Sequence, residues 1–169
     1  MLHIQPLQTI SPTISRQDNA ILIEHGPIIF LGGSIEMDTA ERWQERVIRA
    51  FDNKDVTFLN PRRDDWDANI KQSCEDKGFR DQVNWELSGI MQSDLVVFYI
   101  DPNTKSPITL MEIGLVAGKG INTIVCCPEG FWRKGNIEMV CDRFGIKLID
   151  NFGRLLVFLE NYIEHTRFL

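Results

Sequence analysis

The sequence predicts a three-layer α/β sandwich built on a five-stranded parallel sheet. Three observations carry that expectation. From about residue 28 onward, short apolar runs alternate with amphipathic segments. The run LVVFYI, Leu95–Ile100, is apolar throughout rather than alternating, as a strand covered on both faces must be. Strands that alternate with helices pair in parallel through right-handed crossovers. Together these give a flavodoxin-like or Rossmann-like sheet over residues 28–169 as a single domain.

Each element has its own signal. PIIFLGGS reads as a buried strand opening into a loop at Gly32-Gly33-Ser34. DTAERWQERVIRAFD follows, with Trp43, Val47 and Ala50-Phe51 at helical spacing and Asp38 or Thr39 as N-cap. DVTFLNP is a strand stopped by Asn60-Pro61, and RRDDWDANIKQSCEDKG is a long polar loop with room for some helix. FRDQVNWELSGIMQSD places Val83, Leu87 and Ile90-Met91 on one helical face. LVVFYI is the third strand, SPITLMEIGLVAGKG a helix, INTIVCC a strand, GNIEMVCDRF a short helix, IKLI a last strand and NFGRLLVFLENYIEHT a closing amphipathic helix. Residues 1–27 fall outside this rhythm and read as an N-terminal extension: a hairpin, an edge addition or an arm onto a neighbouring subunit.

Composition narrows the function classes. A chain of 169 residues fits one domain with a real core, and a formal charge of −6 excludes a sequence-independent grip on a polynucleotide. No apolar run is long enough to cross a bilayer, and the N-terminus lacks a basic segment followed by an apolar one. Cys74, Cys126, Cys127 and Cys141 show no CxxC spacing, and His3, His25 and His165 are scattered. No metal site and no cofactor are expected, and the thiols read as reduced ones in a cytoplasmic protein.

In such sheets the ligand crevice lies beyond the carboxyl ends of the strands. The residues found there are Gly32, Gly33, Ser34 and Glu36; Asn60, Arg62 and Arg63; Asp101 to Ser106; and Pro128 to Lys134. Gly32-Gly33-Ser34 suits close backbone approach to a ligand, or else a tight turn. It is not GxGxxG, and no P-loop lysine follows. Glu112 has two readings. It is the acid of a capping box with Thr109, or, if the helix starts at Ser106-Pro107, a carboxylate near the crevice rim. Either placement sets it near the positive end of the helix dipole, which favours its ionised form. An anionic carboxylate in a sheltered crevice acts as nucleophile or as stabiliser of a positive transition state.

FLGGSIE, QVNWELSGIMQSDLVVFYI and SPITLMEIGLVAGKG, in this order and spacing and followed by VCCPEGFWRKGN, resemble the nucleoside 2-deoxyribosyltransferase superfamily. The likeness is to its nucleoside 2-deoxyribosyltransferase-like branch and covers roughly residues 28 to 150. The resemblance implies that Glu112, in Glu112-Ile113-Gly114, attacks the anomeric carbon of a sugar. It makes Ser106 the counterpart of the serine of the deoxynucleotide N-hydrolases, Ser34 a ligand-contacting hydroxyl and Glu86 the acid that binds a sugar hydroxyl. Two departures stand out. Glu36 occupies the place of the hydrolases' phosphate-holding arginine, and Phe30 that of an aromatic hydroxyl. A phosphate would then fall to Arg62, Arg63, Arg133 or Lys134.

Cleaving an N-glycosidic bond builds positive charge on the sugar, which a carboxylate stabilises, and the departing base needs a proton. Asp101 is the candidate for that proton or for orienting the base, against a plain role as turn-former before Pro102. Trp66 or Trp132 suits stacking on a base, and Arg133 in FWRKGN suits an anion. The expected partner is a small-molecule nucleoside or nucleotide, with neither polynucleotide nor membrane, in a homo-oligomer as the resemblance implies. Transferase, hydrolase and non-catalytic nucleotide-sensing module remain the three functional readings.

Overall fold

The computed structural model describes residues 2–4, 26–36, 39–63 and 70–166. Strands β1 (Leu2–Ile4), β2 (Ile28–Gly33), β3 (Thr57–Leu59), β4 (Leu95–Tyr99), β5 (Thr123–Cys126) and β6 (Lys147–Ile149) form one sheet in the order β1-β3-β2-β4-β5-β6. Every pairing is parallel. The five expected strands, β2 to β6, thus take the flavodoxin-like order, and Leu2–Ile4 adds a short edge strand beside β3. The rest of the segment before residue 26, including His25, lies outside the described residues.

The helices are α1 (Trp43–Ala50), α2 (Lys77–Gln92), α3 (Pro107–Lys119), α4 (Lys134–Phe144) and α5 (Phe152–Thr166). Right-handed crossovers put α1 and α5 on one face of the sheet and α2, α3 and α4 on the other. Two apolar cores record this division. Trp43, Val47 and Phe51 join Leu155, Leu159 and Ile163 against one face, while Trp85, Ile90, Ile113, Val116, Ile137 and Cys141 cover the other. Residues 95–99 are buried throughout because β4 runs down the middle with helices on both sides. Each fully buried large apolar side chain, such as Phe58 or Phe98, contributes roughly 1.5–3 kcal/mol of transfer free energy.

Two helix readings change. The first helix begins at Trp43 with Arg42 at its N-cap position and no side-chain cap, so Thr39 does not serve and Asp38 lies outside the described residues. The buried stripe of α2 is Gln82, Trp85, Gly89 and Ile90, whereas Leu87 and Met91 are exposed. Of the four apolar residues expected on one face, Ile90 lies inward and Val83 is half-buried, whereas Leu87 and Met91 point outward and Gln82 and Trp85 turn inward in their stead.

Candidate active site

The chain leaves β2 toward β3 on one side and later fills β4 on the other, so the sheet's switch point lies between β2 and β4. Gly32 and Gly33 stand in register with Phe98 and Tyr99 there. A Cβ on Gly33, whose φ is 139°, would sit 2.2 Å from the Tyr99 carbonyl oxygen, and one on Gly32 would sit 2.6 Å from the Phe98 ring. Strand packing therefore accounts for both glycines, and the reading of them as a ligand approach gives way to it.

Ser34 follows at once, fully buried, with its amide on the Tyr99 carbonyl at 2.9 Å. Its Oγ accepts from the Asp101 amide at 2.9 Å, and lies 2.5 Å from Ser106 Oγ and 3.0 Å from Thr104 Oγ1. Thr104 Oγ1 also meets Ser106 Oγ at 2.7 Å while donating to the Asp101 carbonyl at 2.8 Å. That leaves only the Ser34 and Ser106 hydrogens to serve the contacts within this buried cluster. The hydroxyls knit the ends of β2 and β4 together.

Asp101 is buried, and its carboxylate accepts from the Glu41 amide at 2.9 Å, the Asn103 amide at 2.9 Å and Asn103 Nδ2 at 3.0 Å. Both oxygens accept from fixed donors, which ties Asp101 into the loop and favours its turn-forming reading over that of an acid for a leaving base. Asn60 and Arg62 are also engaged in architecture. Asn60 Oδ1 accepts from the Arg62 amide at 3.0 Å, and the buried Arg62 guanidinium donates to the Glu41 carbonyl at 3.1 Å and the Ala40 carbonyl at 3.4 Å. They tie the loop after β3 to the entrance of α1.

The helix carrying Glu112 starts at Pro107, so the Thr109 capping box is not formed. Ser106, in the left-handed region at φ 48°, occupies the N-cap without a side-chain cap. Its place is held by Glu36, itself at φ 37°, whose Oε1 accepts from the Lys105 amide at 2.7 Å and the Ser106 amide at 2.9 Å.

Glu112 is the sixth residue of α3, beyond the first turn where the helix dipole acts strongly. It is buried at 8% exposure, and among the described residues no main-chain amide or side-chain donor holds its carboxyl. Burial, and secondarily the negative charge of Glu86, push its pKa up to about 8. The expected preference for the ionised form is therefore reversed in the free protein. Glu86 comes from α2, half-buried rather than on the outer face, and its pKa is raised by burial against a hydrogen bond from Gln82. Gln82 Nε2 donates to Glu86 Oε1 at 2.7 Å and to the Pro61 carbonyl at 3.2 Å, while Gln82 Oε1 and Trp85 Nε1 are buried without partners among the described residues. Gln82 and Trp85 were missed in the sequence. The signal was there, since Gln82 lies one helical turn before both Trp85 and Glu86, at spacings of three and four residues.

At the other rim Trp132 is half exposed, donating Nε1–H to the Lys105 carbonyl at 3.4 Å, with Lys105 and Arg133 lying over its ring at 4.8 and 4.4 Å. Lys134 is engaged by the Cys127 carbonyl, Glu129 and Glu138. Trp66 lies outside the described residues. A separate shallow concavity of about 570 Å³ along β6, lined by Lys147, Arg154 and Phe158 among others, includes neither Glu112 nor Glu86. Among the described residues no group of three or more His, Cys, Asp or Glu is placed to hold a metal ion, and no helix is long and apolar enough to cross a membrane.

A family model described as "Nucleoside 2-deoxyribosyltransferase like" matches residues 26–131. No curated protein matches the chain. Among solved structures, a conserved protein from Enterococcus faecalis V583 is similar with a TM-score of 0.57 and 15% sequence identity, covering 81% of this chain and 99% of that one. At that identity the likeness speaks to the fold alone.

Proposed function

The chain belongs to the nucleoside 2-deoxyribosyltransferase-like family, and from that premise we propose that it cleaves or transfers the N-glycosidic bond of a nucleoside or nucleotide through Glu112. The observation that carries this reading is a buried carboxyl, set beside a second one on the neighbouring helix, that no group among the described residues neutralises or caps.

The pair suits a division of labour. In its ionised form Glu112 bonds to the anomeric carbon as the carbon–nitrogen bond breaks, and the bond's electron pair leaves on the base. Glu86 in its protonated form gives that base a proton, then takes one back from the water or second base that resolves the glycosyl ester. Burial makes ionised Glu112 costly in the free protein, but the positive charge that grows on the sugar offsets this cost in the transition state alone. Such an interaction accelerates the step rather than merely tightening binding. Gln82 orients Glu86, and the unpartnered Gln82 Oε1 and Trp85 Nε1 are polar groups that a bound hydroxylated ligand would satisfy.

The test is incubation with deoxynucleosides, ribonucleosides and their 5′-phosphates, with and without a second base, followed by chromatography for released base. Release that Glu112→Ala reduces by at least about a thousandfold is expected. Tight binding without any release would instead identify a nucleotide-binding module. Transfer to the second base separates a transferase from a hydrolase.

A further inference from the structure

We infer that Gln82 is a positioning residue for the carboxyl pair: its amide, locked in one orientation by the Pro61 carbonyl, holds the pair's single proton on Glu112 and off Glu86 until a ligand is bound. The inference rests on the glycosidic reading above and adds what keeps the pair unreactive in the free protein.

Gln82 stands on α2 four residues before Glu86, so the two side chains lie on one helical face. Its Nε2 donates to Glu86 Oε1 at 2.7 Å and, at 3.2 Å, to the carbonyl of buried Pro61 in the loop after β3. A carbonyl accepts and never donates, so only the nitrogen end of the amide suits Pro61. Turning the amide over would set Oε1 against that carbonyl oxygen. The orientation is kept although it leaves Oε1 buried without a partner among the described residues, which costs free energy. Glu86 Oε1 therefore faces a fixed donor.

A hydrogen bond from an N–H favours the ionised form of the carboxyl that accepts it. If Glu86 is protonated, its hydrogen must sit on Oε2. Among the described residues Glu112 has no comparable donor; what acts on it is burial and the charge of Glu86, facing it from α2. Arg62, next to Pro61 in the same loop, donates to the Ala40 and Glu41 carbonyls. When the pair holds one proton, that proton settles on Glu112. Glycosyl transfer needs the opposite tautomer, with Glu112 ionised and Glu86 protonated. The proton must leave Glu112 and arrive on Glu86 Oε2, and Gln82 makes this transfer uphill in the free protein. Positive charge growing on a sugar beside Glu112 reverses the balance, which confines the reactive form to the occupied site.

Carbon-13 NMR of protein labelled at the glutamate carboxyl carbons, titrated with acid and base, tests this without any substrate. Glu112→Gln leaves Glu86 to titrate alone, and Gln82→Met keeps the side-chain length while removing the donor. The Glu86 midpoint in Glu112→Gln/Gln82→Met should lie about one pH unit above that in Glu112→Gln, about a tenfold gain in proton affinity. With Glu112 intact, Gln82→Met should move the Glu86 carboxyl signal toward its protonated position at the pH where the pair holds one proton. A glutamine that only ties α2 to the loop would, when replaced, lower the melting temperature and leave both signals unmoved, and that result overturns the inference. Gln82→Leu takes the place of methionine if thermal melts show that the methionine variant does not fold. A shifted midpoint with no base release from any nucleoside would leave Gln82 in its role and sink the catalytic reading. Base release with an unshifted midpoint would do the reverse.

Discussion

Glu112 shows how burial and one neighbour set the chemistry of a single residue. A carboxyl with a pKa of about 8 is mostly protonated at neutral pH, yet a nucleophile must be ionised. The reactive form, with Glu112 ionised and Glu86 protonated, is a tautomer of the singly protonated pair, so the kcat/KM for base release should fall as pH rises through about 8, since that parameter reports the free enzyme. Glu86→Gln removes the like charge and the second titrating carboxyl, so the residual activity should instead rise with pH to a midpoint below 8, lowered only in part because burial is the larger cause. The same variant loses the proton donor, and its rate should drop by about a hundredfold. A pH profile identical to wild type would show that the two carboxyls do not communicate. At this scale the sequence yielded Glu112 and Glu86 through the resemblance. It could not yield their protonation, which depends on solvent exclusion and on a partner 26 positions away in the chain. Asp101 illustrates the opposite case: its position after a strand suggested an acid, and three donors from residues 41 and 103 made it a loop anchor.

At the scale of elements, the helix starts and faces carried the surprises. Ser106-Pro107 was a legible helix start, whereas the Glu36 clamp on it was not, because the two segments lie some 70 positions apart in sequence and meet only across the switch point. The face of α2 was read only in part: Ile90 lies inward as expected, but Leu87 and Met91 are exposed and the inner stripe adds Gln82, Trp85 and Gly89. Periodicity of apolar residues cannot see a polar group that turns inward. The consequence is measurable by urea denaturation. Ile90→Ala should cost about 2–4 kcal/mol as a fully buried side chain, and Leu87→Ala on the same helix should cost less than about 1 kcal/mol. Similar losses at the two positions would restore the face that the sequence suggested.

For the whole molecule, the buried carboxyl makes stability depend on pH. The folded protein holds the Glu112 proton up to about pH 8, whereas the unfolded chain releases it near the ordinary value of 4.5. Between those values the folded state binds more protons, so this group's contribution to stability falls as pH rises from 4.5 through 8. Glu112→Gln carries no such charge and should melt about 5 °C higher than wild type at pH 9, with the gap closing toward pH 5. A gap that does not change with pH would contradict a raised pKa in the folded state. The parallel sheet and the order of elements were determined by sequence, because apolar runs and turn residues act locally and crossover handedness leaves few topologies. What only the tertiary structure decided is which polar groups are already satisfied. Hydrogen bonds between segments far apart in the chain engage Asp101, Ser34, Ser106 and Arg62, and among the described residues leave the Glu112 carboxyl without one.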